Sequence, residues 1–496
     1  MSVVRITASM LYNHVHCPHR VTLDLFGDPV ERDDVSPFVE LLWERGNQFE
    51  QDVVAGLRVR FLNLREVPVG EREGRCLAAM KAGEELIYGG RITDGDLLGE
   101  PDILKRVGSV YVPGDIKSGA GLEGGGEDDG KPKRHYAVQL SLYADVLKRL
   151  GFSTGEEAFV WDVHREEVAY DLSAPRGKRP PTMWEEYRAT LEDVRAITDN
   201  KKATLPALCA RCKLCHWRSH CRAELKASND LTLIPELGRD KREKIRPHFA
   251  TVKELAESDR AALVAGSRSS IPGVGVPTLL RFHARACLQT TRGAKPYFTE
   301  DVSFPSDVLE LFYDVETDPM RDVCYLHGFV VRSGGGRDTE KYVSFFADDP
   351  TAEAESAAFG AAWDYLSKTQ FTAFYFYSPY ERTTLKKLAA RFPEVATDRQ
   401  VEALFQRDES LDLYHGLVRS KMEWPTNDLS IKTLASFLGF KWRDTDPSGA
   451  SSIQWYHRWV ETGDGALKTR ILEYNEDDCR AMRVLVDAAR GFGKAR

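Results

Sequence analysis

Two sets of acidic residues and one crowd of cysteines carry the residue types that do chemistry in this chain. In GEPDIL and YVPGDIKSG, the acids Asp102 and Asp115 are followed by Lys117, two residues beyond the second acid. Residues two apart on a strand share a face. Two carboxylates hold a hard cation such as Mg or Mn, and a lysine beside them orients or deprotonates water and steadies charge on a phosphate. That is the chemistry of metal-dependent phosphodiester hydrolysis. The second set begins with Asp314 and Glu316 near the end of the apolar run LELFYDVETD, again on one face of a strand. Far downstream, Tyr474 and Asp478 lie four apart in EYNEDDCRAM and share a helix face. Between these two parts, FYFYSPYERTTLKKL supplies Glu381, and LDLYH supplies Asp412, which serves equally well as a helix cap. Asp477 is expected on another face of the helix.

Four of the nine cysteines fall between Cys209 and Cys221, as Cys212-x-x-Cys215 and then Cys221, with Cys17 in HVHCPHR near the start. Such soft-ligand density points to a metal. Four thiolates close a tetrahedral zinc site, in which Cys209 is an alternative to Cys17, or hold a 4Fe-4S cluster; the spacing admits both. Lys213, Arg218 and Arg222 make this neighbourhood locally positive, whereas Cys76, Cys287, Cys324 and Cys479 read as buried, unligated thiols.

The elements that must position these groups follow from the pattern. Residues 100–117 alternate short apolar pieces with turn residues, as a strand pair does, and AVQLSLYADVLKRL has helical periodicity after the Gly-rich, charged loop at 118–134. Residues 185–204 also read as helix. From Leu231 to about Gln289 short helices are punctuated by PELG and PGVG, a small all-helical unit. Beyond Phe298, apolar strands alternate with helices as in an α/β domain, with RSGGGRD as a hairpin turn. The expected organisation is α/β multidomain, with domains at 1–228, 229–295 and 296–496.

Gln139 and Tyr143 complete a Gln-x-x-x-Tyr helix motif behind the first acid pair, and on these residues the first 225 or so positions resemble the RecB-like branch of the PD-(D/E)XK nuclease superfamily, a restriction-endonuclease-like fold. The resemblance implies that Asp102 and Asp115 bind metal, that Lys117 is catalytic, and that Gln139 and Tyr143 contact the active site or DNA. Where that branch often has a Gly-x-x-His-Glu helix motif, this sequence reads Gly46 to Glu50 with Phe49 in place of the His. Phe49 ligates no metal, so Glu50 assists, or the site works with fewer ligands, or the centre is weakened. The compact cysteine trio with one distant partner resembles the iron-sulfur nucleases, namely the CRISPR-associated four-cysteine exonucleases and the AddB nuclease domain, which implies Cys17, Cys212, Cys215 and Cys221 as cluster ligands.

Ile271-Pro-Gly-Val-Gly275 places Gly273 and Gly275 ahead of a helix, where free amides meet phosphate. It resembles the hairpin of a helix-hairpin-helix (HhH) unit, with LIPELGRDKREKIRPHF as a degenerate partner offering Arg239, Lys241, Arg242 and Lys244 to the DNA backbone. The acids of the last 200 residues resemble the DEDD exonucleases of the RNase H-like (DnaQ-like) fold in their tyrosine subtype. That family implies two metals held by Asp314, Glu316 and Asp478, with Glu381 in the place of the second-motif Asp and Tyr474 positioning water.

Taken whole, the chain resembles RecB-like nucleases that join these parts. The resemblance implies hydrolysis of DNA at ends or single strands, in repair, recombination or mobile-element defence. The alternative is an iron-sulfur DNA-binding module with one or both centres silent. The chain has no Walker A sequence, so unwinding needs a partner such as a helicase or another recombination or defence protein.

Composition bounds these readings. At 496 residues the chain is long enough for two to four domains, and 42% hydrophobic with 29% charged content is that of a folded globular protein. The net charge of -8 excludes coating of nucleic acid by bulk charge, so phosphate binding must be local. No run approaches a membrane span and the start lacks a signal-peptide core, so the cytoplasm is expected, and with it cysteines that serve metals rather than disulfides.

Overall fold

A computed structural model of the chain describes residues 4–124, 130–177, 179–445 and 447–494. The chain divides into two compact units, Met1–Glu224 and Leu225–Arg496. The middle of the Gly-rich loop, 125–129, lies outside the described residues.

The first unit is built on a six-stranded sheet. Its strands, in spatial order, are Glu167–Asp171, Glu157–Trp161, Val110–Ile116, Ile103–Val107, Leu86–Tyr88 and Leu62–Asn63. The expected strand pair is Ile103–Val107 with Val110–Ile116, antiparallel, with Ile103 opposite Gly114. Val110–Ile116 is buried along most of its length, so it reads as an almost unbroken apolar run rather than an alternating one. The helix Arg134–Arg149 then crosses back, so that Glu157–Trp161 joins parallel to Val110–Ile116. This helix is buried from Ala137 to Leu147, apart from Gln139. The helix Met183–Thr198 starts at a capping box, in which Thr182 and Glu185 satisfy each other's backbone amides. Helices Ala8–His16 and Pro18–Phe26 share Cys17 as the residue between them.

The second unit opens with short helices, among them Gly238–Ile245, Val252–Glu257 and Val276–Thr290. The segment is not purely helical: Val264–Ala265 and Arg268–Ser269 pair as a minimal hairpin. Arg285, fully buried, ties this segment to the strand Met422–Glu423, because its guanidinium reaches Glu423 at 2.6 Å and the Pro235 carbonyl at 2.8 Å. Then comes a five-stranded sheet in the order Lys341–Phe346, Val323–Ser333, Leu309–Asp318, Ala373–Phe376, Ser410–Asp412. Numbered along the chain, that order is 3-2-1-4-5. The first three strands are antiparallel and the last two join parallel. RSGGGRD is the hairpin turn, with Gly334 and Gly335 in the left-handed region. Long apolar strands pack against Ala352–Lys368, Tyr380–Arg391 and Gly465–Arg490, with cores around Phe374, Trp424 and Tyr456. Among the described residues, no helix is long and apolar enough to cross a membrane.

Candidate active site

The acid cluster of the second unit forms where the central strand meets the last long helix. Asp314 and Glu316 share a face of Leu309–Asp318, and a register shift follows directly at Glu316/Thr317. Bulges of this kind re-aim strand ends beside sites. Asp478 comes from the 26-residue helix Gly465–Arg490, which starts on the Asp464 cap. One ligating oxygen from each of Asp314, Glu316 and Asp478 lies within 4.8 Å of the others, the one such group of three or more His, Cys, Asp or Glu side chains among the described residues.

Three carboxylates converging in one largely buried place repel one another and hold their protons more tightly. Burial, then Glu316 and Asp478, lift Asp314 well above the ordinary carboxylate range. Burial and Asp478 raise Glu316 to about 8, and burial also raises Asp478. The opposing influence is Lys432, whose Nζ stands 3.6 Å from Asp478 and 2.5 Å from the Tyr474 hydroxyl. Hard oxygen donors in such surplus fit a divalent cation, which would restore the charged forms.

Each acid is held by a neighbour. The Asn475 amide donates to Asp314 at 2.7 Å and accepts from the Tyr342 hydroxyl at 2.8 Å. Asn475 reaches this place because Gly328, opposite Asp314 in the ladder, has no side chain: a Cβ there would stand 1.6 Å from the Asn475 oxygen. The Trp442 indole donates to Asp478 at 2.7 Å. Glu316 lies against Tyr325, whose hydroxyl is 2.7 Å from the Ser452 hydroxyl. Lys432, Trp442, Asn475, Tyr325 and Ser452 escape the sequence reading. Asn475 had a signal, since it sits between Tyr474 and Asp478 on a helix with a buried face.

Other expected residues stand apart from this group. Glu381 is buried at the start of Tyr380–Arg391, outside the cluster of three, and among the described residues its Oε2 has no hydrogen-bond donor. Its charge is felt at Asp314, and burial lifts its own acidity well above the usual range. Asp412 is a cap, accepting from the amides of Tyr414 and His415. Asp477 turns away to Arg443 at 2.9 Å.

In the first unit, Asp102, Asp115 and Lys117 are brought together. The Asp102 carboxylate accepts from the Ile116 amide at 2.9 Å, the Asp102 amide approaches Asp115 Oδ1 at 3.5 Å, and Lys117 Nζ is 2.9 Å from Asp115. Burial and Asp115 raise Asp102 to about 7. Gln139 donates to the Tyr143 hydroxyl at 3.1 Å, and burial, with Asp115 and Asp102, pushes that phenol up. Arg65, which the sequence reading omits, bridges Asp102 at 2.8 Å and Glu50 at 3.2 Å. Phe49 packs into an apolar cluster with Tyr88 and Phe159.

Cys17, Cys209, Cys212, Cys215 and Cys221 line one small cavity of about 40 Å³. Cys209 and Cys212 sulfurs are 3.7 Å apart, yet no three of the sulfurs lie within 4.8 Å of one another. Four sulfurs around one zinc at about 2.3 Å would stand about 3.8 Å apart, so the arrangement is wider than a closed zinc site. Burial, then neighbouring Cys17 and Cys215, raise the Cys221 thiol to about 12. Cys76, Cys324 and Cys479 are buried thiols as expected, and Cys287 is partly buried.

Around the Pro-Gly-x-Gly turn, Gly273 has a φ of +76 and Gly275 caps Val276–Thr290. Arg242 corrects the expectation of a phosphate contact. It is 1% exposed and pairs with Asp230 at 3.3 Å and Glu243 at 2.7 Å, because the short helix turns it inward. Lys241 is drawn to the Glu236 carbonyl at 3.0 Å, Lys244 to that of Gly273 at 3.3 Å, and Arg239 is partly buried.

Compared with curated proteins, the chain shows no match. Residues 311–490 match the RNase_H_2 family of the RNase_H superfamily, a stretch that contains the sheet of order 3-2-1-4-5 almost entire and all three clustered acids, so the chain carries an RNase H-like domain in its carboxy-terminal part.

Proposed function

We propose that the chain is a divalent-metal-dependent nuclease that hydrolyses phosphodiester bonds of DNA, at ends or single strands, with its principal centre at Asp314, Glu316 and Asp478. The observation that carries the reading is the meeting of these three acids inside an RNase H-like domain. Mg or Mn, held there by the three carboxylates, supplies the charge that activates water and stabilises a leaving oxygen. The chain's own residues do the positioning. Asn475 and Trp442 fix the directions of the Asp314 and Asp478 carboxylates, and the Tyr474 hydroxyl, next to Lys432, stands beside Asp478 to orient water. Preorganised polar groups of this kind cost no rearrangement during reaction.

Asp102, Asp115 and Lys117 form a second hydrolytic centre of PD-(D/E)XK type in this reading, and the cysteine cavity takes a 4Fe-4S cluster on Cys17, Cys212, Cys215 and Cys221. The resemblance of the compact cysteine trio with its distant partner to iron-sulfur nucleases is what favours the cluster over zinc. A second reading, a DNA-binding module with the first centre silent, draws support from Arg65 on Asp102 and from Phe49 in the apolar cluster. The pathway in this proposal is repair, recombination or mobile-element defence, with a helicase-type partner, and the compartment is the cytoplasm.

The test is cleavage of end-labelled single-stranded and duplex DNA with Mg or Mn by wild type, Asp115→Ala, Asp314→Ala and the double variant. Loss in Asp314→Ala supports the principal centre, and a further loss in the double variant supports the second. Full cleavage by the double variant discredits both, whereas tight binding without cleavage by wild type favours the module. A colourless preparation without iron would remove the cluster from the proposal.

A further inference from the structure

The two acid centres leave a basic face of the first unit without a role. A groove of about 670 Å³ is bordered by helices Ala8–His16 and Pro37–Ala55 and by the cysteine-bearing segment. Arg211, Lys213, Arg218 and Arg222 line it, all four are exposed, and among the described residues none of them forms an ion pair. Of the carboxylates in the wall, Asp33 is engaged, accepting from the Ser219 amide at 2.9 Å, and Asp34 is its neighbour. Four unpaired cations on a chain of net charge -8 mark a local anion site rather than a charged surface in general.

Aromatic rings are interleaved with the cations. Trp43 lines the groove with 59% of its surface exposed, a large apolar ring left facing water. Tyr12 and His16 form part of the same wall. From them a ring cluster continues through His135, centred 4.6 Å from His16, to Tyr136, and Lys117 Nζ is 5.6 Å from the Tyr136 ring. The ring cluster therefore links the groove wall to Lys117. Cations that follow a backbone and rings on which bases stack are the two components of single-strand binding, since every base has a π-face.

We propose that this groove binds single-stranded nucleic acid, with Arg211, Lys213, Arg218 and Arg222 on phosphates and Trp43 under a base. The groove leads the strand toward Lys117. The destination rests on the nuclease reading above; the binding does not. An acidic peptide would satisfy the cations but leave Trp43 without a partner.

The test uses the full chain in EDTA, where binding is read without cleavage. Fluorescein-labelled (dT)20 is titrated by anisotropy over a range of salt with wild type, Trp43→Ala and the triple variant Arg211→Ala/Lys213→Ala/Arg222→Ala. Trp43→Ala should lose about tenfold in affinity at an unchanged salt slope, as removal of one stacking platform does. The triple variant should bind more weakly, with a log-log salt slope shallower by about 2, given roughly 0.7 per phosphate contact on a single strand. Trp43→Phe, which keeps a ring, should recover most of the loss. Wild-type affinity and slope in both variants would overturn the proposal. Equal displacement of the oligonucleotide by polyglutamate would transfer the groove to acidic peptides. Loss of cleavage in Asp314→Ala with binding intact keeps the two readings separate, because a failed groove leaves that result unchanged.

Discussion

Replacing Glu316 by Gln separates the electrostatic cost of the acid cluster from its chemistry. In the cation-free protein, burial and Asp478 raise this carboxyl from 4.5 to about 8. The unfolded chain titrates at the lower value, so the folded state holds the proton more tightly. The contribution to stability is therefore complete below pH about 4.5 and is lost as pH rises toward about 8. Each unit is worth about 1.4 kcal/mol, so the loss at pH 7 is about 3 kcal/mol. For a unit of this size that is roughly 6 to 12 °C in Tm. Gln retains the shape and still accepts from Tyr325, but it carries no charge to expel. Scanning calorimetry of the full chain in EDTA at pH 5, 7 and 8.5 should show the wild-type transition falling with pH and Mg restoring it. Glu316→Gln should show a much flatter profile and little response to Mg, with cleavage lost. A wild-type transition that rises across this window, or equal slopes in the two proteins, would refute the argument that like charges are being forced together.

Three further outcomes rest on the same geometry. Lys432→Met removes the cation that opposes proton uptake by Asp478 and Glu316, so cleavage should fall about 10- to 100-fold, with the rising limb of the pH profile moved to higher pH, read from initial rates. Gly328→Ala puts a methyl group where the Asn475 oxygen stands; it should cost about 1 to 3 kcal/mol in urea denaturation and reduce cleavage, with part of the stability recovered in Gly328→Ala/Asn475→Ala. Arg285→Ala removes the buried partner of Glu423 and leaves that carboxylate to Arg281 at 3.1 Å, so it should cost about 3 kcal/mol, whereas Arg285→Met/Glu423→Leu should recover most of it, both measured by Tm.

The features legible in the sequence were those that depend on local period. Asp314 and Glu316 fall on one strand face, and Tyr474 and Asp478 on one helix face, because those repeats are properties of the backbone alone. The RNase H-like domain at 311–490 shows the same alternation of strands and helices. The features that arrived only with the fold were tertiary. Lys432 and Trp442 reach Asp478 from segments 46 and 36 residues away in sequence, and nothing local to SIKTLASFLGF or FKWRD marks them as neighbours of an acid. Charge type without burial misled in the opposite direction: Arg242 reads as a phosphate ligand in DKREK, yet it turns into the core beside Ile245 to meet Asp230. The same limit applies to Arg65, whose position on Asp102 depends on where the strand Leu62–Asn63 joins the sheet. A carboxylate pair in a sequence thus identifies the acids of a centre, while the cations and amides that set their protonation and direction are decided by packing. Substitutions at Lys432, Asn475 and Arg65 are therefore the ones that discriminate a working centre from a silent one.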